Sequence, residues 1–146
     1  MFETTAATQW AGVYRYDPGN EVPLLNREVE FSMQLELRWF GRFVGRIVEG
    51  HGGIPEPAKI EGRFSGRRIH FAKQYASLWV VDESGKTVSV PGQPSAVLHY
   101  DGQLSDDRSR IEGTWLLLHE QFIVDGQEWE WPETNGTWSA VAVSAH

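Results

Sequence analysis

Lys73 and Tyr75 stand two residues apart in a run, Arg68–Tyr75, whose alternate positions are Ile69, Phe71, Lys73 and Tyr75. In an extended strand such positions share one face. An ammonium and a phenol are thereby set among apolar side chains, a combination suited to holding a carboxylate or an enolate oxygen. The competing reading is an internal ion pair, since unpaired buried lysine is rare. The sequence offers a partner, because Phe43, Gly45, Ile47 and Glu49 form one face of another run. A third face carries Ile111, Gly113, Trp115, Leu117 and His119. Tyr14, Tyr100 and Trp138 occupy the same parity on their own strands. The candidate ligand-binding residues are therefore Tyr14, Glu49, Phe71, Lys73, Tyr75, Tyr100, Trp115, His119 and Trp138.

Other chemistries are poorly served. Glu49, His51 and His119 could approach one another, but their spacing is loose for a metal site; no metal and no cofactor is expected. His70 and His99 fall on the polar parity and are expected at the surface. His119 alone could act as a general base. No nucleophile–base–orienter set is evident, which argues against a hydrolase. The enzymatic alternative to simple binding is an isomerase, cyclase or lyase in which Lys73, Tyr75 and His119 act together.

Composition narrows the class. The 146 residues are 40% hydrophobic and 23% charged, as expected of a single globular domain. There are no cysteines, which removes thiolate chemistry and fits a reducing compartment. No signal peptide is visible in Met1–Gln9, and a cytoplasmic location is expected. The net charge of −7 makes nucleic acid an improbable partner. No apolar run approaches a membrane span, and no membrane partner is expected.

The elements that must position these residues are strands. Val29, Phe31, Met33, Leu35, Leu37 and Trp39 alternate with polar residues along Arg27–Trp39, the signature of a half-buried strand. About eight such strands can be counted, the number of a small barrel. They centre on Gln9–Tyr16, Arg27–Trp39, Phe43–Glu49, Lys59–Phe64, Arg68–Tyr75, Ala96–Leu104, Arg110–His119 and Gly136–Ser144. An apolar-x-Gly-x-apolar pattern recurs, as in Trp10-x-Gly12-x-Tyr14 and Ile111-x-Gly113-x-Trp115. Glycine weakens a strand, so its repeated placement on the buried face suits a sheet that coils sharply or keeps interior room. The prediction is an all-β, eight-stranded antiparallel up-and-down (meander) barrel. Connections after the second, fourth and sixth strands are short; the others are long and fall at one end, as around a ligand-binding mouth. Two long loops contain hairpin signals, Leu78–Val81 with Thr87–Val90, and Phe122–Val124 with Glu128–Trp131 around Asp125-Gly126.

Tyr100-Asp101-Gly102-Gln103-Leu104, followed by Arg110-Ile111-Glu112-Gly113-Thr114-Trp115-Leu116-Leu117, resembles the paired sixth and seventh strands of the avidin/streptavidin family of lipocalin-like (calycin-type) barrels. Phe43-Val44-Gly45-Arg46 and Ile60-Glu61-Gly62-Arg63-Phe64 are similar to that family's third and fourth strands. The resemblance implies inward rings at Tyr100 and Trp115 and places Trp79, a further candidate ligand-binding residue, in a loop over the mouth. It does not extend to biotin: Trp10–Tyr16 offers only Tyr14 and Tyr16 where the family has a polar cluster, and Ser144-Ala145-His146 lacks the closing carboxylate. Trp10, Trp39, Trp115 and Trp138 are expected in the core. Val97, Leu116, Leu118, Val141 and Val143 point outward on the last three strands as one apolar patch, expected to be a homo-oligomer interface. The leading expectation is a barrel that binds a small, partly apolar molecule. A filled barrel acting through loop tryptophans Trp79, Trp129 and Trp131 as a protein-interaction module is the third.

Overall fold

Burial alternates along the strands as the sequence pattern requires. In Glu28–Leu37, Val29, Phe31, Met33 and Leu35 are buried, while Glu28, Glu30, Ser32, Gln34 and Glu36 face solvent. The computed structural model describes residues 8–16, 28–50, 53–81, 87–90, 95, 97–118, 120–124, 126–131 and 133–143. In chain order the strands are β1 (Gln9–Tyr16), β2 (Glu28–Leu37), β3 (Arg42–Glu49), β4 (Ala58–Ser65), β5 (Arg68–Tyr75), β6 (Leu78–Val81), β7 (Thr87–Val90), β8 (Leu98–Leu104), β9 (Arg110–Leu117), β10 (Glu120–Val124), β11 (Gln127–Trp131) and β12 (Thr134–Ala142). Eight of them, β1-β12-β9-β8-β5-β4-β3-β2, close into one antiparallel barrel. β6–β7 and β10–β11 are separate two-stranded hairpins inserted between barrel strands, where the sequence signals put them. No helix among the described residues is long and apolar enough to cross a membrane.

The inward glycines are filled from across the sheet. Gly12 pairs with Phe31, Gly62 with Phe71 and Gly136 with Trp115. A Cβ on Gly12 would lie 2.4 Å from the Phe31 ring, and one on Gly136 would lie 2.6 Å from Trp115 Nε1. One on Gly102 would lie 2.8 Å from the Trp138 ring. Gly12, Gly102 and Gly136 thus make the space in which a neighbouring ring lies, while Gly62 admits the close approach of the His70–Phe71 backbone. Of the two roles the sequence leaves open, the pattern serves ring packing and strand approach at these positions.

The result is a stacked aromatic interior. Phe71 stacks on Tyr100 with ring centroids 4.8 Å apart, and Trp138 meets both edge-on at 5.6 and 5.5 Å. Trp115 joins Tyr14 at 5.9 Å and Tyr16 at 5.1 Å. Their indole N–H groups are satisfied: Trp115 donates to the Arg15 carbonyl at 3.0 Å and Trp138 to that of Asp101 at 2.9 Å. This filling occupies the middle of the barrel.

Two expectations need correction. β2 ends at Leu37, so Arg38 and Trp39 belong to the turn, and Trp39 is 83% exposed rather than in the core. The cause is the 3₁₀ turn Trp39–Gly41, which breaks the two-residue alternation. β12 runs Thr134–Ala142, two residues earlier than the sequence suggests, because its N-terminal end pairs with β9 from Leu117 onward. Leu118, Val141 and Val143 are exposed, as the outward parity requires.

Candidate functional site

Five of the candidate residues converge at the long-loop end of the barrel. β1 brings Tyr14, β3 brings Glu49 at its last position, β5 brings Lys73 and Tyr75, and β8 brings Tyr100. Strand parity turns all five inward, and each is buried. Glu49 is the hub. Its Oε1 accepts from the Tyr14 hydroxyl at 2.8 Å and from the Ile54 backbone N–H at 2.9 Å. Its Oε2 accepts from Lys73 Nζ at 2.7 Å and from the Tyr75 hydroxyl. Four donors match the roughly four lone-pair sites of a carboxylate.

Lys73 sits among rings as well as against its counter-ion. Nζ lies 4.8, 5.1 and 5.3 Å from the ring centroids of Tyr14, Tyr75 and Tyr100. It also donates to the Tyr100 hydroxyl at 3.3 Å.

The electrostatics follow from burial and pairing. Burial pushes the Glu49 carboxyl up, but the Lys73 charge and the hydrogen bonds from Lys73, Tyr75 and Ile54 outweigh it, and the net shift is downward. Burial pulls the Lys73 ammonium down, but its neighbours Tyr75 and Glu49 outweigh this and hold it above the ordinary lysine value. Tyr14, Tyr75 and Tyr100 are pushed well above the ordinary phenol value, chiefly by burial. The site at neutral pH is therefore a carboxylate, an ammonium and three neutral phenols, with no net charge.

Two solved structures align with the chain over most of its length. The rhizavidin–biotin complex aligns with a TM-score of 0.47 and 15% identity, over 97% of this chain and 97% of that one. A low-affinity variant of shwanavidin aligns at 0.45 with 14% identity, over 93% and 97%. No protein-family model matches the chain, and no curated protein matches it in sequence.

Phe71, Trp115 and Trp138 lie below the polar network as ring packing, in contact with Tyr100 or Tyr14. Trp79 is in β6, and nothing further is described of its side chain. His119, and His51 with it, fall outside the described residues. Among the described residues no group of three or more acidic or histidine side chains could hold a metal. His70 is exposed and bonds Asp101 at 2.8 Å, on the outer face as expected.

Sequence reasoning misses the strap that closes over Glu49. Gly53 leaves no room for a Cβ, which would lie 2.6 Å from the Glu49 side chain, and the next residue, Ile54, supplies the fourth donor. Ser95 is missed too: its hydroxyl accepts from the Tyr75 N–H and its carbonyl from Gln74 Nε2, both at 2.9 Å. A loop amide has no signature in sequence. Gly53, two residues before Pro55, is the nearest signal.

Proposed function

We propose that the barrel binds a small, uncharged, partly apolar molecule at its long-loop end, above the Tyr14–Glu49–Lys73–Tyr75–Tyr100 network. The observation that carries this reading is Tyr100. Its hydroxyl is buried and accepts from Lys73, while its own proton meets no acceptor among the described residues. A buried donor left unpaired costs about 1–3 kcal/mol, a cost that a carbonyl-type acceptor on a ligand removes. Lys73 is not the anion hook considered from sequence, because Glu49 already neutralises it at 2.7 Å. An anionic ligand would meet a saturated carboxylate with no free positive charge. The same pairing weighs against acid–base catalysis, since Lys73 and Tyr75 both donate to Glu49.

Calorimetric titration with matched ring compounds, one set bearing amide or ketone groups and the other carboxylates, tests the reading. The neutral set should bind, with Tyr100→Phe weakening it by about tenfold, the worth of one hydrogen bond. Binding confined to carboxylates, or unaffected by Tyr100→Phe, would sink it. We also infer that a second copy covers exposed Leu118, Val141 and Val143. Val141→Glu should then halve the mass measured by sedimentation equilibrium; an unchanged mass refutes this interface.

A further inference from the structure

The opposite end of the barrel carries two large side chains that the fold does not use. Trp39 and Phe40 are 83% and 85% exposed at the tip of the β2–β3 turn. The turn holds them outward by construction. Phe40 has φ 58 and ψ 37, the left-handed region that a bulky residue seldom occupies and that Asn or Gly would fill without strain. Gly41 follows at φ +76, where a Cβ would lie 2.4 Å from the Phe64 carbonyl. The Arg38 N–H donates to the Arg42 carbonyl at 2.7 Å and closes the loop. Strain kept at a projecting aromatic points to a use for it.

Charge says what the use is. The three short turns of this end, Arg38–Arg42, Ser65–Arg68 and Ser105–Arg110, hold six arginines against two aspartates, Asp106 and Asp107, in a chain of net charge −7. Asp106 is engaged by Arg67, and Asp107 is bonded within its own turn by Ser105 and Ser109. Arg42 lies directly opposite Arg63 in the β3–β4 register, and neither has an ion-pair partner among the described residues. Like charges set opposite each other destabilise a sheet unless an anion lies between them. Glu56, Glu128 and Glu133 belong to the other end, a strand length of roughly 25 Å away, several times the ~8 Å screening length at physiological salt. Glu36, beside the first turn, pairs with Arg38 at 2.7 Å, so the arginines still outnumber the acids at this end, and the distant glutamates barely oppose approach of an anionic surface to it.

We propose that the closed end docks on an anionic phospholipid surface, with Trp39 and Phe40 at headgroup depth and Arg42, Arg63 and Arg68 on the lipid phosphates. Aromatic side chains with one wet edge favour that depth, and guanidinium pairs with phosphate in a fixed geometry. The expectation of no membrane partner rests on the lack of an apolar run long enough to span a bilayer; exposed Trp39 and Phe40 point to docking on a surface instead.

Co-sedimentation with phosphatidylcholine vesicles, with and without a third of phosphatidylglycerol, tests this. The protein should pellet with the anionic vesicles only, and less so in added salt. Trp39→Ser, and separately Arg42→Gln with Arg63→Gln, should lower the bound fraction by about fivefold or more. Phe40→Asn guards against misfolding as an explanation: it should raise Tm by relieving the left-handed strain while lowering vesicle binding. The proposal is overturned by no binding to anionic vesicles, by equal binding of the variants, or by equally tight binding to soluble heparin, which would mark a general polyanion or protein surface instead.

Discussion

Lys73 and Glu49 meet 2.7 Å apart inside the barrel, their side chains 1% and 0% exposed. The two are unequally supported. Without Lys73, the carboxylate would keep three donors: Tyr14, Tyr75 and the Ile54 amide. Without Glu49, the ammonium would keep only the long bond to Tyr100 and the ring faces around it.

That inequality predicts an order of stability. Glu49→Gln should cost about 3–5 kcal/mol, the price of stranding a buried charge. Lys73→Met should cost less, about 2 kcal/mol, because hydrogen bonds still hold the carboxylate. Glu49→Leu with Lys73→Met should cost less than the sum of the single changes, since no charge is left buried. Urea unfolding of the set checks this. Equal single-variant costs would mean that the Ile54 and tyrosine donors contribute little.

The pH dependence has two limbs. Glu49 titrates lower in the folded protein than unfolded, so its contribution is present above the unfolded value of about 4.3 and is lost as pH falls through the folded value. Lys73, Tyr14, Tyr75 and Tyr100 all titrate higher when folded. Their contribution is present below about pH 10 and is lost as pH rises through the folded values. Denaturation midpoints should therefore be flat through neutrality and fall at both extremes. The Glu49→Leu, Lys73→Met pair should flatten the acid limb; an acid limb of unchanged slope would assign it to other carboxylates.

The network is legible in the sequence because β-structure has a period of two residues, written here as Ile69, Phe71, Lys73 and Tyr75 on one face and Phe43 to Glu49 on another. With a meander order, loop lengths mark the open end and parity brings Tyr14, Glu49, Lys73, Tyr75, Tyr100, His119 and Trp138 to it; the structure joins the first five in one network, sets Trp138 in the ring packing, and His119 lies outside the described residues. What parity could not supply was the outcome of competition among them. Whether Lys73 faces a ligand or Glu49 depends on distances across the barrel. Trp39 escapes the pattern for a related reason: alternation ends where the chain turns, and Trp39-Phe40-Gly41 carries only a single glycine to announce it. The Gly53–Ile54 strap acts through backbone, which the side-chain pattern does not encode.

The glycine pattern gives a contrast between two kinds of glycine. A Cβ on Gly113 or Gly136 would stand 1.8 Å from a backbone carbonyl oxygen of the neighbouring strand, a partner that cannot swing aside. Gly113→Ala and Gly136→Ala should each cost about 3 kcal/mol or more by overpacking. Gly66 has φ +62 but nothing within 4 Å of its Cβ position, so Gly66→Ala should cost only about 1 kcal/mol, from backbone strain. Thermal melts of the three variants decide it. Comparable losses at all three would mean that the strands adjust at the interior positions and that the pattern is not a packing requirement.

The three tyrosines around Lys73 separate structure from recognition. Tyr14 and Tyr75 donate to the Glu49 carboxylate, so removing either hydroxyl takes a charge-assisted bond from a buried ion, worth about 1.5–3 kcal/mol. Tyr100 donates to nothing among the described residues and only accepts a 3.3 Å bond from Lys73. Tyr100→Phe should cost under about 1 kcal/mol of stability. For ligand affinity the order should reverse, with Tyr100→Phe the most damaging of the three, because only its proton is left for an incoming acceptor. Melting temperatures and titration calorimetry on the same three proteins measure both orders. If Tyr100→Phe lowers stability as much as Tyr75→Phe and leaves binding of neutral compounds intact, the five-residue network is part of the core and the ligand is held by other groups at the mouth.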